Sequence, residues 1–388
     1  MTSARPIRVM RIIARLNVGG PALHVALLAQ HLNPPVNAAY ESLLVAGQVG
    51  DDEGDMSYYA ESLGVTPTII PALGRSLHPV RDLIVIGQLV RLMGRFKPDV
   101  VHTHTAKAGF VGRIAAWIAG IPVIVHTYHG HVFRGYFSPT MTRVFLTLER
   151  LTGRVSDAVI TLTDGLAREI VDEFRVVQRE KIVVIGLGLD LRAFADMPRK
   201  MGAFRAQHGI PAEVPLIGIV GRLVPVKNHA LFLQAAAILR QTLPDAHYVI
   251  VGDGEMRVAI EAQIVGMGLT DRVQITGWTR DLDPIYSDLD VMALSSLNEG
   301  TPVTLIEALA AGCAVASTAV GGVPDLLGHG AFGALAESGS AESLAQAILR
   351  ALTHPPDAAP IREQMVRLYS AQRLAGDLDG LYRRLLEG

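Results

Sequence analysis

Residues 291–317 read VMALSSLNEGTPVTLIEALAAGCAVAS. Val291 to Leu294 is a short apolar run of strand length, and Ala314 to Ser317 is a second. Between them Pro302 suits a first helical position and Gly312 a helix stop. Strand, helix and strand in so short a span form a crossover unit of a parallel sheet, which predicts an α/β protein.

The same alternation extends in both directions. Strands are expected at Arg8 to Arg15, Glu41 to Val45, Thr68 to Ile70, Val100 to Thr103, Val123 to Thr127, Ala158 to Leu162 and Ile182 to Ile185. A second series is expected at Leu216 to Val220, His247 to Val251, Val273 to Thr276, Val291 to Leu294, Ala314 to Ser317 and Gly333 to Leu335. Between the series, Arg192 to Pro215 carries Pro198, Gly202, Gly209, Pro211 and Pro215 without a strand pattern, which suits a hinge. The expected organisation is two Rossmann-like domains facing a central cleft. Residues 1–192 and 193–371 form the domains, and a last helix over 372–388 crosses back to the first. In such sheets ligands bind at the carboxyl ends of the strands, so the loops there are where chemistry is expected.

Composition fits this picture. Of 388 residues 49% are apolar and 19% charged, enough to build large cores and too hydrophobic for a mainly disordered chain. The net charge of -2 argues against a protein that coats nucleic acid. A single cysteine, Cys313, excludes an internal disulfide and a cysteine-based zinc site and fits a reducing compartment. Arg5, Arg8, Arg11 and Arg15 interrupt the start, so it has no secretory apolar core, and no apolar run reaches the roughly 20 residues of a membrane span. A cytoplasmic location is expected.

Two carboxylates stand out on the opening stretch. Glu299 lies on the loop after a strand, and Glu307 lies on the following helix. Eight helical residues rise about 12 Å, whereas retaining glycosidases hold their carboxyls roughly 5 Å apart. The spacing suits two contacts on one long ligand, such as a nucleotide sugar with hydroxyls at both ends and a diphosphate between. Gly221-Arg222-Leu223 follows another apolar strand, five residues before Lys227. Two cations on a strand-to-helix loop can clamp a diphosphate and neutralise a leaving group.

The order Glu-Gly-x-Pro-x-x-x-x-Glu-Ala, with the Gly-Arg and Lys upstream, resembles the signature of the family 4 retaining glycosyltransferases. The resemblance implies the GT-B fold. It further implies that Glu299 contacts the donor sugar, with Gly300 and Thr301 beside it, that Glu307 binds the ribose, and that Arg222 and Lys227 hold the pyrophosphate. Asn17-Val18-Gly19-Gly20 resembles the family's N-terminal glycine loop, Val251-Gly252-Asp253-Gly254 a turn shaping the nucleotide pocket, and Gly277-Trp278 the place where the base is contacted. His126-Thr127-Tyr128-His129-Gly130-His131 contains the family's Thr-x-His-Gly pattern, which points to His129 near the reacting sugar, with His131 next.

The resemblance implies transfer from a nucleotide sugar, expected to be a UDP-sugar, to a hydroxyl acceptor in cell-surface polysaccharide or glycolipid synthesis, without a metal cofactor. Three nearby histidines could suggest a metal, but strand alternation directs His126 away from His129. On the acceptor side His102 reads as a satisfied core histidine, and His104 ends its strand near the acceptor. Lys107 and Arg113 lie at a helix start, either as an anion site for the acceptor or as solvated charges. From Arg75 to Arg154 eleven bases face three acids, partly on amphipathic stretches at Pro79 to Phe96 and Phe133 to Arg154, a pattern that fits peripheral contact with an anionic membrane as well as core packing. Two features depart from the common family pattern: Thr301-Pro302 where an aromatic or glycine is usual, and Gly186-Leu187-Gly188-Leu189-Asp190 in place of Asn-Gly-Val-Asp. Two rivals share the expected fold: a nucleotide-sugar epimerase and a catalytically silent binding subunit.

Overall fold

The computed structural model describes residues 5–50, 54–74, 78–130 and 139–388. The chain divides into two units, Met1–Asp190 with Tyr369–Gly388, and Leu191–Leu368. The expected bounds fall at 192 and 371, close to these.

The first unit holds β1 (Ile7–Arg15), β2 (Tyr40–Gly47), β3 (Thr68–Ile69), β4 (Val100–His104), β5 (Val123–Tyr128), β6 (Ala158–Thr161) and β7 (Ile182–Val184). They pair in parallel in the order β3-β2-β1-β4-β5-β6-β7. The second unit holds β8 (Leu216–Val220), β9 (His247–Val251), β10 (Val273–Gly277), β11 (Val291–Leu294), β12 (Ala314–Thr318) and β13 (Ala334–Ala336), again parallel, in the order β10-β9-β8-β11-β12-β13. These are the strands expected from the sequence, because a parallel strand covered on both faces is predominantly apolar; the polar residues within them, such as Arg11 and His102, are buried and hydrogen-bonded.

Helices cover both faces of the first sheet. On one, Met10, Ile12 and Val101 pack against Val85, Leu89 and Met93 of the Pro79–Phe96 helix and Val111 and Ala115 of the Ala106–Ile118 helix. On the other, Val9, Val100 and Val125 meet Leu28 together with Leu374, Leu378, Leu381 and Tyr382 of the Ala371–Glu387 helix. That last helix starts where the Ser370 hydroxyl accepts from Arg373 N–H, a side-chain N-cap. Its apolar residues fall at helical spacing, and each buried leucine contributes about 1.5–3 kcal/mol of transfer free energy.

The segment Arg192 to Pro215 corrects the hinge expectation. It forms the Arg192–Asp196 and Ala203–His208 helices and is tied into the second unit. Arg205, buried, pairs with Asp290 at 2.7 Å and donates to the carbonyls of Pro211 and Val214. Asp288 accepts from Gly202 N–H and Arg205 N–H. Its glycines and prolines read as a loose linker, but long-range side-chain bonds hold it in place.

Among the described residues no helix is long and apolar enough to cross a membrane.

Candidate functional site

In the second unit the strand order reverses between β8 and β11, so the loops after these strands open side by side. They are joined directly. Leu297 N–H donates to Val226 O at 2.8 Å, and the Ser295 hydroxyl donates to Lys227 O at 2.9 Å. Thr318, at the end of β12, donates to Ser296 O at 2.7 Å and braces the same loop. Gly321 supports it from beneath: φ is +51°, and a Cβ there would lie 1.7 Å from Glu299 O, so no other residue fits.

On this frame Lys227 Nζ meets Glu299 Oε1 at 2.6 Å, and the Ser296 hydroxyl donates to the same oxygen at 2.6 Å. The pair is mostly buried but still reached by solvent, with side-chain exposures of 19% and 12%. Lys227 lies on the Pro225–Lys227 turn and Arg222, exposed, on the same loop. Beyond Glu299 the Val303–Ala310 helix begins at Pro302, and no side chain caps it. Its first amides are therefore available to an anion. The hydroxyls of Thr301 and Thr304 are buried there without a hydrogen-bond partner, and Gly300 is exposed beside them.

Glu307 is buried on that helix and accepts a 2.9 Å hydrogen bond from the Tyr286 hydroxyl. Burial pushes its carboxyl up to about 7; the Tyr286 hydrogen bond opposes the rise and the charge of Asp283 adds to it. Gly252 bridges to Gly277, and its Cβ would lie 2.0 Å from Gly221 O, so it lets the turn after β9 close over the β8 loop. Trp278 follows, 48% exposed. Arg222, Lys227, Gly252, Trp278, Glu299, Gly300 and Thr301 thus all lie on loops after parallel strands of one unit, and Glu307 lies on the helix that follows one of them. Ser296, Tyr286 and Thr304 join them unforeseen. Ser296 and Thr304 were adjacent in sequence to the motif, whereas Tyr286 comes from a separate helix, Asp283–Asp288, and carried no signal.

In the first unit the order reverses between β1 and β4. Gly19 and Gly20 open the Gly20–His31 helix after β1, with no side-chain cap. His104 ends β4, His129 follows β5, and the third ring beside them is His24, one turn into the glycine-loop helix. His104 Nδ1 and His129 Nε2 share a 3.1 Å N–H···N bond, and the His24 ring stands edge-on to His129 at 4.8 Å. Burial holds His129 down to about 4 and keeps His24 and His104 well below the ordinary histidine range. His131 lies outside the described residues. His126 turns to Thr103 Oγ1 at 2.9 Å, away from this group. His102 is a satisfied core histidine, bonded to the Tyr382 hydroxyl at 2.6 Å and to Thr127 Oγ1 at 2.7 Å.

Lys107 and Arg113 require a correction. Lys107 is buried and paired with Asp82 at 2.8 Å; Arg113 is fully buried, paired with Glu149 at 2.5 Å, and donates to Gly109 O. Neither is a solvated charge. Arg113, with its carboxylate inside the fold, is not an accessible anion site either: as the eighth residue of its helix, it lies beneath the surface and not at the helix mouth.

Residues 19–188 match the family model described as "Glycosyl transferase 4-like domain", and residues 201–367 match "Glycosyl transferases group 1". The chain is 32% identical to the UDP-Gal:alpha-D-GlcNAc-diphosphoundecaprenol alpha-1,3-galactosyltransferase of Escherichia coli, over 77% of this chain and 78% of that protein. It is 29% identical to the 2-deoxystreptamine glucosyltransferase of Streptomyces kanamyceticus, over 77% and 81%. Among solved structures, Anabaena HepE in complex with UDP-glucose superposes with a TM-score of 0.82 at 22% identity, covering 97% of this chain and all of that one, a likeness of fold. The two parallel α/β units are those of the GT-B fold, and the chain belongs to the family 4, group 1 glycosyltransferases.

Proposed function

We propose that this protein is a retaining, metal-independent glycosyltransferase that moves a hexosyl or related sugar from a UDP-sugar to a hydroxyl acceptor. The observation that carries the proposal is the solvent-reached Lys227–Glu299 pair beside an uncapped helix start and two unpartnered threonine hydroxyls. A cation already held by a carboxylate can swing to a phosphate without the cost of desolvating a bare charge, and the freed carboxylate can take sugar hydroxyls. In the proposed reaction Arg222 and Lys227 neutralise the charge growing on the diphosphate while Glu299 orients the sugar. Glu307 accepts from the ribose, and the helix amides complete the anion site. The acceptor hydroxyl attacks the anomeric carbon from the leaving-group face, forming the new glycosidic bond as the bond to phosphate breaks, and its proton passes to the departing phosphate oxygen. His129 polarises the sugar's surroundings and forms no covalent bond.

The donor nucleotide is taken from the relatives, among them a UDP-galactose enzyme. That enzyme acts on a diphosphoundecaprenol acceptor, which supports a lipid-linked acceptor and a role in cell-surface polysaccharide or glycolipid synthesis here. A second observation favours peripheral membrane contact. On the Pro79–Phe96 helix Val80, Leu83 and Ile84 are exposed beside Arg81, and on the Pro139–Arg154 helix Met141, Val144 and Leu151 are exposed beside Arg143, Arg150 and Arg154. Apolar and basic side chains on one exposed face suit an anionic bilayer surface.

Calorimetric titration with UDP, GDP and ADP, with and without magnesium, tests the donor site. UDP should bind without metal and lose affinity in Arg222→Ala and Glu307→Ala. Magnesium-dependent binding would overturn metal independence, and no nucleotide binding at all would favour the silent subunit. NMR of the product anomer tests retention.

A further inference from the structure

We infer that His24, His104 and His129 form a binding site for a divalent transition-metal ion of the zinc, cobalt or nickel type. The three rings come from three separate elements, the glycine-loop helix, the end of β4 and the loop after β5, and converge at the point where the first sheet reverses its strand order. Each offers a ring nitrogen such that the three lie within 4.8 Å of one another. His104 Nδ1 and His129 Nε2, 3.1 Å apart, already approach the separation of about 3.3 Å that two imidazoles take on one tetrahedral ion with 2.0–2.1 Å bonds. A small inward turn of His24 completes a three-nitrogen face, leaving the fourth position to water or to a substrate hydroxyl.

The chemistry selects the ion. The group contains no carboxylate, and an all-imidazole set discriminates against magnesium and calcium in favour of zinc, cobalt and nickel. His24 Nδ1, His104 Nε2 and His129 Nδ1 are buried with no hydrogen-bond partner, so the polar capacity of this group is left unsatisfied by the protein itself.

Metal binding itself does not depend on the proposed function. Its consequence does: an ion on His129 would occupy the imidazole assigned to the sugar's surroundings, so zinc would inhibit transfer and a chelator would restore it.

The test is a cobalt titration of the chelator-stripped full chain, followed by visible absorption, with zinc as competitor and UDP calorimetry run in parallel. The expected result is the d–d band of tetrahedral cobalt saturating at one equivalent. Its affinity should fall at least about tenfold in His24→Ala and in His104→Ala and stay unchanged in His329→Ala, an exposed control. His24→Gln, which keeps a polar side chain of similar reach, serves if an alanine variant fails to fold. A wild-type spectrum without tetrahedral bands, or a midpoint unmoved in His24→Gln, overturns the site. Loss of the cobalt band with UDP binding intact defeats only this inference; a cobalt site without UDP binding defeats only the donor reading.

Discussion

Both units carry a lysine and an arginine in the segment that follows a parallel strand at the point where the strand order reverses, yet the side chains end differently. In the first, Lys107 turns inward to Asp82, with exposures of 6% and 9%, and Arg113 pairs with Glu149 at 0% and 4%. In the second, Arg222 stays exposed and Lys227 pairs with Glu299 at a level that water still reaches. Residue types are alike, but the position on the following element differs, and with it the depth. Lys107 and Arg113 lie inside a helix packed on the sheet, whereas Arg222 and Lys227 lie on the turn before one. A buried pair closes the fold, because neither partner can be given up without stranding the other's charge; a pair that solvent still reaches can exchange its partner for a ligand.

The largest effect expected from this contrast is on chemistry. Glu299→Ala should lower sugar transfer by about 10²–10³-fold, the scale of a lost transition-state contact, while the thermal midpoint stays close to wild type. Near-normal turnover in a folded variant would remove Glu299 from the site.

Arg113→Met should act the other way, destabilising the first unit by about 3–5 kcal/mol by leaving Glu149 buried and unpaired, with UDP affinity unchanged in the folded fraction. Adding Glu149→Leu should recover most of the loss. If Arg113→Met melts like wild type, the distinction between closing and exchangeable pairs fails.

Glu307 of the second unit and the buried histidines of the first should also respond to pH with opposite signs; His229 of the second unit, held down to about 4 chiefly by burial, shares the sign of the histidines. Glu307 titrates near 7 in the fold and near 4.5 when unfolded, so its contribution is fully present below about 4.5 and lost as pH rises through 7. Glu307→Gln should therefore stabilise the second unit above neutrality, by on the order of 3 kcal/mol. The buried histidines of the first unit, His24, His102, His104, His126 and His129, are all held below 6.5. Their contribution is present above 6.5 and lost as pH falls, for His129 through about 4. Hydrogen exchange at pH 5 and pH 8 would show it: acid should loosen β4 and β5 first. Equal protection of both sheets at both pH values would contradict the opposition.

The smallest effect concerns the surface. Replacing Arg143 and Arg150 with Ser should weaken flotation with anionic liposomes by about fivefold per arginine at low salt. Wild-type protein that never floats would dispose of membrane contact.

How much of this was legible depended on where the partners lie in the chain. The strands were legible because burial on both faces demands apolar runs, and Pro302 and Gly312 marked the helix between two of them. Lys227, Glu299 and Glu307 were legible because each lies on or just after a loop at a strand's carboxyl end, whose direction the parallel order sets. Tyr286 and Ser296 were not, since a hydroxyl's partner is chosen by the fold. The hinge was misread because Arg205 and Asp288 bind across more than eighty residues.

The amino-acid sequence by itself determined the two parallel α/β units, the loops that bear the candidate donor residues and the family, since each rests on patterns spanning a few neighbouring residues. Tertiary structure alone decided that Arg113 is buried against Glu149, that Glu307 titrates near neutrality, and that His24 joins His104 and His129. Those outcomes depend on burial and on side chains brought together from distant elements, and neither quantity exists until the sheets have closed.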